Sequence, residues 1–227
     1  MRSIYAAFIL MLVLMTSAQC QQTLENALDW FNKGISLYEQ GKRDDANRAF
    51  DKAIEINPYF SRAWLDKGVV LSGQGKYDEA IKAYDKAIEL EPNQARAWFQ
   101  KGTALQHQGK YVEAIETYDK ANELDPQLAM AWGNKGSALS VQGKYDEAIK
   151  CYNKAIELNS SDENAWFFKG VALQHLGKYD EAIKAFDKAI ELNPNYALAW
   201  YYKGLVLQSL GRTTEDDAAF AKTKELY

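Results

Sequence analysis

A period of 34 residues runs through this chain and limits what it can fold into more than any other property. The stretch 75–90, Gly-Lys-Tyr-Asp-Glu-Ala-Ile-Lys-Ala-Tyr-Asp-Lys-Ala-Ile-Glu-Leu, returns closely at Gly143 and Gly177. It returns more loosely at Gly109 and in worn form at Gly41 and Gly211. Trp30, Trp64, Trp98, Trp132, Trp166 and Trp200 keep the same step, each followed four residues later by glycine, from Gly34 to Gly204. A unit this short buries its apolar face mainly against its neighbours, so the chain is an array rather than one or two ordinary domains. Its boundaries are 27–60, 61–94, 95–128, 129–162, 163–196 and 197–227, behind a lead-in at 19–26.

Each repeat divides into two helices. Trp98, Gly102 and Leu105, at steps of four and three, mark one face of a helix A. Gly109 follows and suits the left-handed residue just past a helix end. Ala80, Ile81, Tyr84, Ala87, Ile88 and Leu90 mark one stripe of a helix B. Asp78 and Glu79 open it, where carboxylates are expected to accept unpaired backbone N–H groups and meet the positive end of the dipole. Pro92 closes it. Small residues at Gly102 and Ala114 let the paired helices approach within about 8–10 Å. Trp98 and Tyr118 are expected to fill the space on either side.

Trp98, Gly102, Gly109, Tyr111, Ala114, Tyr118, Ala121 and Pro126, recurring at fixed period, resemble the tetratricopeptide repeat. The resemblance runs over 27–227 and implies an all-α fold, an α-solenoid in which antiparallel helix pairs wind into a right-handed superhelix. It also implies that helix A builds an inner wall where peptides or partner proteins are held. Carried over position by position, that wall takes Phe31, Ile35 and Tyr38; Leu65, Val69 and Ser72; and Phe99, Thr103, Gln106 and His107. It continues through Gly133, Ser137 and Ser140; Phe167, Val171, Gln174 and His175; and Tyr201, Leu205 and Gln208, with Arg62 and Arg96 near its edge. The glycine at 133, between aromatics at the same position in neighbouring repeats, is expected to leave an anchor pocket flanked by Phe99 and Phe167. One subgroup of the family grips chaperone carboxylates with a lysine on helix A. That position here holds Phe31, Leu65, Phe99, Gly133, Phe167 and Tyr201, so no clamp of that type is expected.

The ends are worn. Arg43 and Asn47 replace Tyr and Ile in the first repeat, and Thr213, Asp216, Asp217 and Thr223 replace Tyr, Ala, Ile and Ala in the last. These changes read as polar caps of a solenoid. Lys33, Lys67, Lys101, Lys135, Lys169 and Lys203 stand where the family usually has leucine. Two readings apply, a basic ladder for an acidic partner or stems packed between helices with heads paired to acids such as Asp85 or Asp119; the second is preferred.

The first residues do not belong to the array. Arg2 precedes an unbroken apolar run at 4–15, and Thr16-Ser17-Ala18 offers a cleavage site, so 1–18 reads as an export signal peptide. The run is short of the roughly 18–20 residues of a membrane-spanning helix. An uncleaved anchor, or lipidation of Cys20 despite Ser17 and Gln19 before it, are the minor alternatives. Removing Arg2 with the leader takes the formal charge from -4 to -5, and acids and bases are mixed along every repeat, so no nucleic acid is expected as a partner. Cys20 and Cys151 make neither a disulfide framework nor a metal site. His107 and His175, two repeats apart, are expected to be wall residues rather than metal ligands. Asn159-Ser160-Ser161 replaces the usual proline and forms an N-glycosylation acceptor.

No Gly-rich phosphate loop, paired-cysteine motif or Ser-His-Asp set appears, so no catalytic residue and no cofactor is expected. The expectation is a non-enzymatic, monomeric scaffold for a protein or peptide partner, exported from the cytoplasm. The alternatives are a targeting or regulatory arm of a multi-protein, glycosyltransferase-type assembly, or a self-associating structural array.

Overall fold

The computed structural model describes residues 2–226, with side chains from residue 21 onward. The leader at 1–18 and the lipidation reading at Cys20 turn on side chains outside the described residues. Among the described residues the regular structure is helical: α1 (Arg2–Glu39), α2 (Arg43–Ile56), α3 (Ser61–Gly73), α4 (Tyr77–Leu90), α5 (Ala95–His107) and α6 (Tyr111–Leu124) are followed by α7 (Ala129–Val141), α8 (Tyr145–Leu158), α9 (Glu163–His175), α10 (Tyr179–Leu192), α11 (Ala197–Ser209) and α12 (Thr213–Leu226). Odd-numbered helices are helix A and even-numbered ones helix B. None of the described helices is long and apolar enough to cross a membrane.

The chain forms two compact units, Met1–Ala104 and Leu105–Tyr227. In the first, α1 packs on α2, α2 on α3 and α3 on α4; in the second, α6 through α12 each pack on the next in turn. Tyr84 and Leu71 are fully buried in the first unit, and Tyr152, Phe186, Leu139 and Leu207 in the second.

Helix A meets helix B at its glycine. A Cβ on Gly68 would stand 2.4 Å from Tyr84 Cε1, and one on Gly136 or Gly170 would stand 2.7 or 2.6 Å from the rings of Tyr152 or Phe186. The large ring therefore sits on the glycine itself, not beside it. The turn between the helices closes as a Schellman motif. Lys76 N–H donates to the Leu71 carbonyl at 3.0 Å and Gly75 N–H to that of Ser72 at 2.9 Å, with Gly75 at φ +76.

The helix starts differ from expectation. Lys42, Lys76, Lys144 and Lys178 hold the N-cap positions of α2, α4, α8 and α10, and none makes a side-chain cap. The first-turn acids of these helices, Asp146 and Glu147 among them, act there through the helix dipole. A capping carboxylate does occur at α9, where Asp162 accepts the N–H groups of Asn164 and Ala165 at 3.0 and 3.2 Å.

Each loop between repeats is pinned by the next tryptophan. The indole Nε1 of Trp64, Trp98, Trp132 and Trp200 donates to the carbonyl of Pro58, Pro92, Pro126 and Pro194 at 2.8–3.1 Å. Trp166 does the same to Ser160 at 3.2 Å. Proline thus ends helix B and supplies the acceptor that sets where helix A begins.

Candidate functional site

The lysine column pairs across repeats. Lys67 meets Asp51 and Lys101 meets Asp85 at 2.6 Å in the first unit. In the second, Lys135 pairs with Asp119, and Lys203 with Asp187 at 2.6 Å. Each lysine also lies over the tryptophan three residues before it, at 4.5–5.9 Å from the ring centroid. These heads are engaged within the array and do not form a basic ladder. Lys169 departs from Lys67, Lys101, Lys135 and Lys203, because the position that holds Asp51, Asp85, Asp119 and Asp187 for them is Asn153. Burial lowers its pKa, and the neighbouring Glu181 acts in the opposite direction.

Beside the same tryptophans lie open grooves. One of about 480 Å³ is bordered by Trp166, Lys169, Leu173 and Lys184, and one of about 400 Å³ by Trp64, Lys67, Leu71 and Lys82. They recur with the repeat and are made of its shared residues, so they mark its architecture rather than one particular site.

A pocket of a different kind lies on the helix-A side of the first unit. It encloses about 260 Å³ and has an apolar lining of Ile35, Phe50, Val69 and Val70, with Tyr38 exposed beside it. Four charged residues border it, Glu39, Arg62, Asp66 and Arg96. Asp66 of α3, its side chain 17% exposed, stands 3.9 Å from Arg62 Nε, one helical turn before it. It stands 4.0 Å from Nη2 of Arg96, which α5 brings in. Both separations exceed the roughly 2.7–2.9 Å of a charge-assisted hydrogen bond. The carboxylate therefore attracts both guanidinium groups without saturating their donors. Burial raises the Asp66 pKa, and Arg96 and then Arg62 offset part of that rise. Burial also pushes the nearby Tyr84 phenol up.

The expected wall residues separate into two sets. Phe31, Leu65, Phe99 and Phe167 are 3%, 2%, 9% and 4% exposed and belong to the core, which corrects the wall reading at this position. Phe31 packs on Phe50 and Phe60, and Phe167 on Phe186, Tyr196 and Tyr202. At Phe167 the position faces the following repeat, where Tyr202 covers it. Tyr201, on the last repeat, is 42% exposed. Phe167, buried in this way, does not form an open flank for an anchor pocket at Gly133, which is itself half-buried with only Ala155 Cβ within 4 Å of a Cβ placed there.

Ile35, Val69 and Thr103 in the first unit, and Gln106, Ser137, Val171, Gln174 and Leu205 in the second, are half-buried, whereas Tyr38, His107, His175 and Gln208 are exposed. Ile35 and Val69 line the pocket. Thr103 hydroxyl donates to the Phe99 carbonyl at 3.1 Å, and Gln106 accepts the Tyr118 hydroxyl at 2.9 Å. His175 stacks on Tyr145 with centroids 4.5 Å apart. Among the described residues no group of three or more His, Cys, Asp or Glu side chains could hold a metal ion. Burial raises the Cys151 pKa, which disfavours the reactive thiolate.

Sequence reasoning missed Asp66. Its position, directly after the buried one, reads Asn32, Asp66, Gln100 and Asn134 in the first four repeats. A run of polar residues at one helical position, between the buried one and the lysine column, was the available signal for the water-facing column.

Family models described as tetratricopeptide repeat match residues 27–60, 65–129, 134–197 and 172–226, with another on 117–150. A crystal structure of MamA is 30% identical over 70% of this chain and 93% of that one, with a TM-score of 0.68. YrrB, described as a TPR protein with an unusual peptide-binding site, is 27% identical over 78% of this chain and 92% of that one, also at 0.68. Pseudomonas aeruginosa pilF, at 20% identity, shares the fold with a TM-score of 0.78 over 91% of this chain and 94% of that one. No curated protein sequence matches. With its repeat matched along nearly all of its length and, among the described residues, twelve helices in the expected order, the chain belongs to the tetratricopeptide repeat family, an all-α solenoid of helix pairs.

Proposed function

We propose that this chain is a non-enzymatic scaffold that holds a peptide or protein segment on the helix-A side of its repeats, outside the cytoplasm. The observation that carries the reading is the Arg62, Asp66, Arg96 cluster set into an apolar pocket. Guanidinium groups with donors to spare donate to a partner's carbonyl oxygens, and a carboxylate beside them accepts an amide N–H. An extended segment offers both along its backbone, and the apolar lining holds one side chain between them. The relationship to YrrB, whose description names a peptide-binding site, supports the same class of partner.

The test is capture of partners from the extracytoplasmic fraction, followed by calorimetry of the identified segment against parent, Asp66→Ala and Arg96→Ala. Loss of about tenfold or more in affinity in both variants, with Lys86→Ala unchanged, is the expected result; equal affinities exclude the pocket. The export part is tested separately by sequencing the mature N-terminus, expected near Gln19, whereas intact Met1 on a cytoplasmic protein excludes it.

One observation favours a second reading. Leu198, Tyr201 and Leu210 in the last repeat are 43%, 42% and 39% exposed. An apolar surface of this kind fits end-to-end association of copies. Sedimentation across a range of concentrations decides, since a monomer at all of them leaves the first reading alone.

A further inference from the structure

Five loops join consecutive repeats, and four carry proline: Asn57-Pro58-Tyr59, Glu91-Pro92-Asn93, Asp125-Pro126-Gln127 and Asn193-Pro194-Asn195. The fourth loop in chain order reads Asn159-Ser160-Ser161. Two changes coincide there. The proline that would disqualify an N-glycosylation acceptor is gone, and a hydroxyl residue stands two places after the asparagine. No other asparagine in the chain has this pattern.

The loop keeps its siblings' geometry despite the lost proline. Asn159 follows the last residue of α8, in extended backbone at φ -142 and ψ 90, with its N–H on the Ala155 carbonyl. Its Oδ1 accepts Ser161 N–H at 3.2 Å, as Asn57 Oδ1 accepts Tyr59 N–H and Asn193 Oδ1 accepts Asn195 N–H, both at 3.1 Å. Trp166 still anchors the carbonyl at 160. Asn159, Ser160 and Ser161 are all exposed. The Nδ2 of Asn159 makes no hydrogen bond to another described residue, so its attack on a donor breaks no contact in the fold.

We infer that Asn159 is an acceptor for an N-linked glycan. The donor is an oligosaccharide on a polyisoprenyl diphosphate. Asn159 Nδ2 forms a bond to the anomeric carbon of the first sugar, and the bond from that carbon to the phosphate oxygen breaks. The lipid diphosphate leaves with the electron pair, and the amide gives up one proton to a base of the transferase. No oxidation or reduction is involved. The inference rests on the export reading, because such donors act on chains beyond the cytoplasmic face.

The experiment produces the full chain in a cell with an N-glycosylating secretory pathway, once with its own first residues and once behind the signal peptide of a secreted protein. Intact mass is measured before and after treatment with a peptide N-glycosidase. The expected result is one glycan, mapped to Asn159, absent from Asn159→Gln and from Ser160→Pro and retained in Ser161→Thr. Secreted parent chain without the glycan overturns the inference. Glycan on the chain behind the foreign signal, with the chain behind its own first residues retained inside the cell, supports the acceptor and overturns the export reading alone.

Discussion

The ring of Tyr84 lies on Gly68 so closely that a Cβ there would stand 2.4 Å from Cε1. Gly68→Ala therefore forces the ring to move. Overpacking of this kind costs about 1–3 kcal/mol, against about 1 kcal/mol returned by alanine's better helix propensity. Gly133→Ala meets only Ala155 Cβ at 3.9 Å and should gain that propensity outright. Urea midpoints should shift down for the first variant and up for the second; shifts of the same sign would contradict the packing described.

Trp132 couples core to loop, half-buried with its indole on the Pro126 carbonyl at 3.1 Å. Trp132→Ala should cost about 3 kcal/mol, the lower end for tryptophan truncation. Trp132→Phe keeps much of the packing and should cost about 1 kcal/mol for the hydrogen bond. Lys135→Ala, which removes a part-buried ion pair to a half-exposed Asp119, should cost about 1 kcal/mol. Thermal melts of the three give the ranking.

Lys169 lacks the aspartate that Lys67, Lys101, Lys135 and Lys203 use, and burial depresses its pKa. Between the depressed value and the ordinary 10.5, the unfolded chain binds the proton more readily than the folded one. Stability therefore rises with pH through that window. Asn153→Asp should raise the Lys169 pKa and flatten the rise. NMR titration of the Lys169 side chain reads the first effect and alkaline melts read the second.

Asp66 carries the opposite sign. Burial raises its pKa above the ordinary 3.8, so between those values the folded state holds the proton that the unfolded state has lost. Its contribution to stability is present below 3.8 and is lost as pH rises through the folded pKa. Relative to Asp66→Asn, the parent should lose stability over that interval. Equal pH profiles for the two would mean that the carboxylate is not desolvated.

The array, its repeat boundaries and its helix pairing are legible in the residues alone. A 34-residue unit repeats the same local signals, glycine past helix A and proline past helix B, and local signals act through backbone geometry that neighbours in sequence determine. The lysine pairing follows the same logic, since Lys101 and Asp85 recur with the period that makes them. Which face of helix A stays open does not. Phe31 and Asn32 are adjacent, and one residue of rotation, about 100°, carries a side chain from the interface with the next repeat to water. Only the packing of successive repeats decides that rotation. The packing buries Phe31 and Phe167, leaves the equivalent Tyr201 exposed, and brings Arg96 across 30 residues of chain to Asp66.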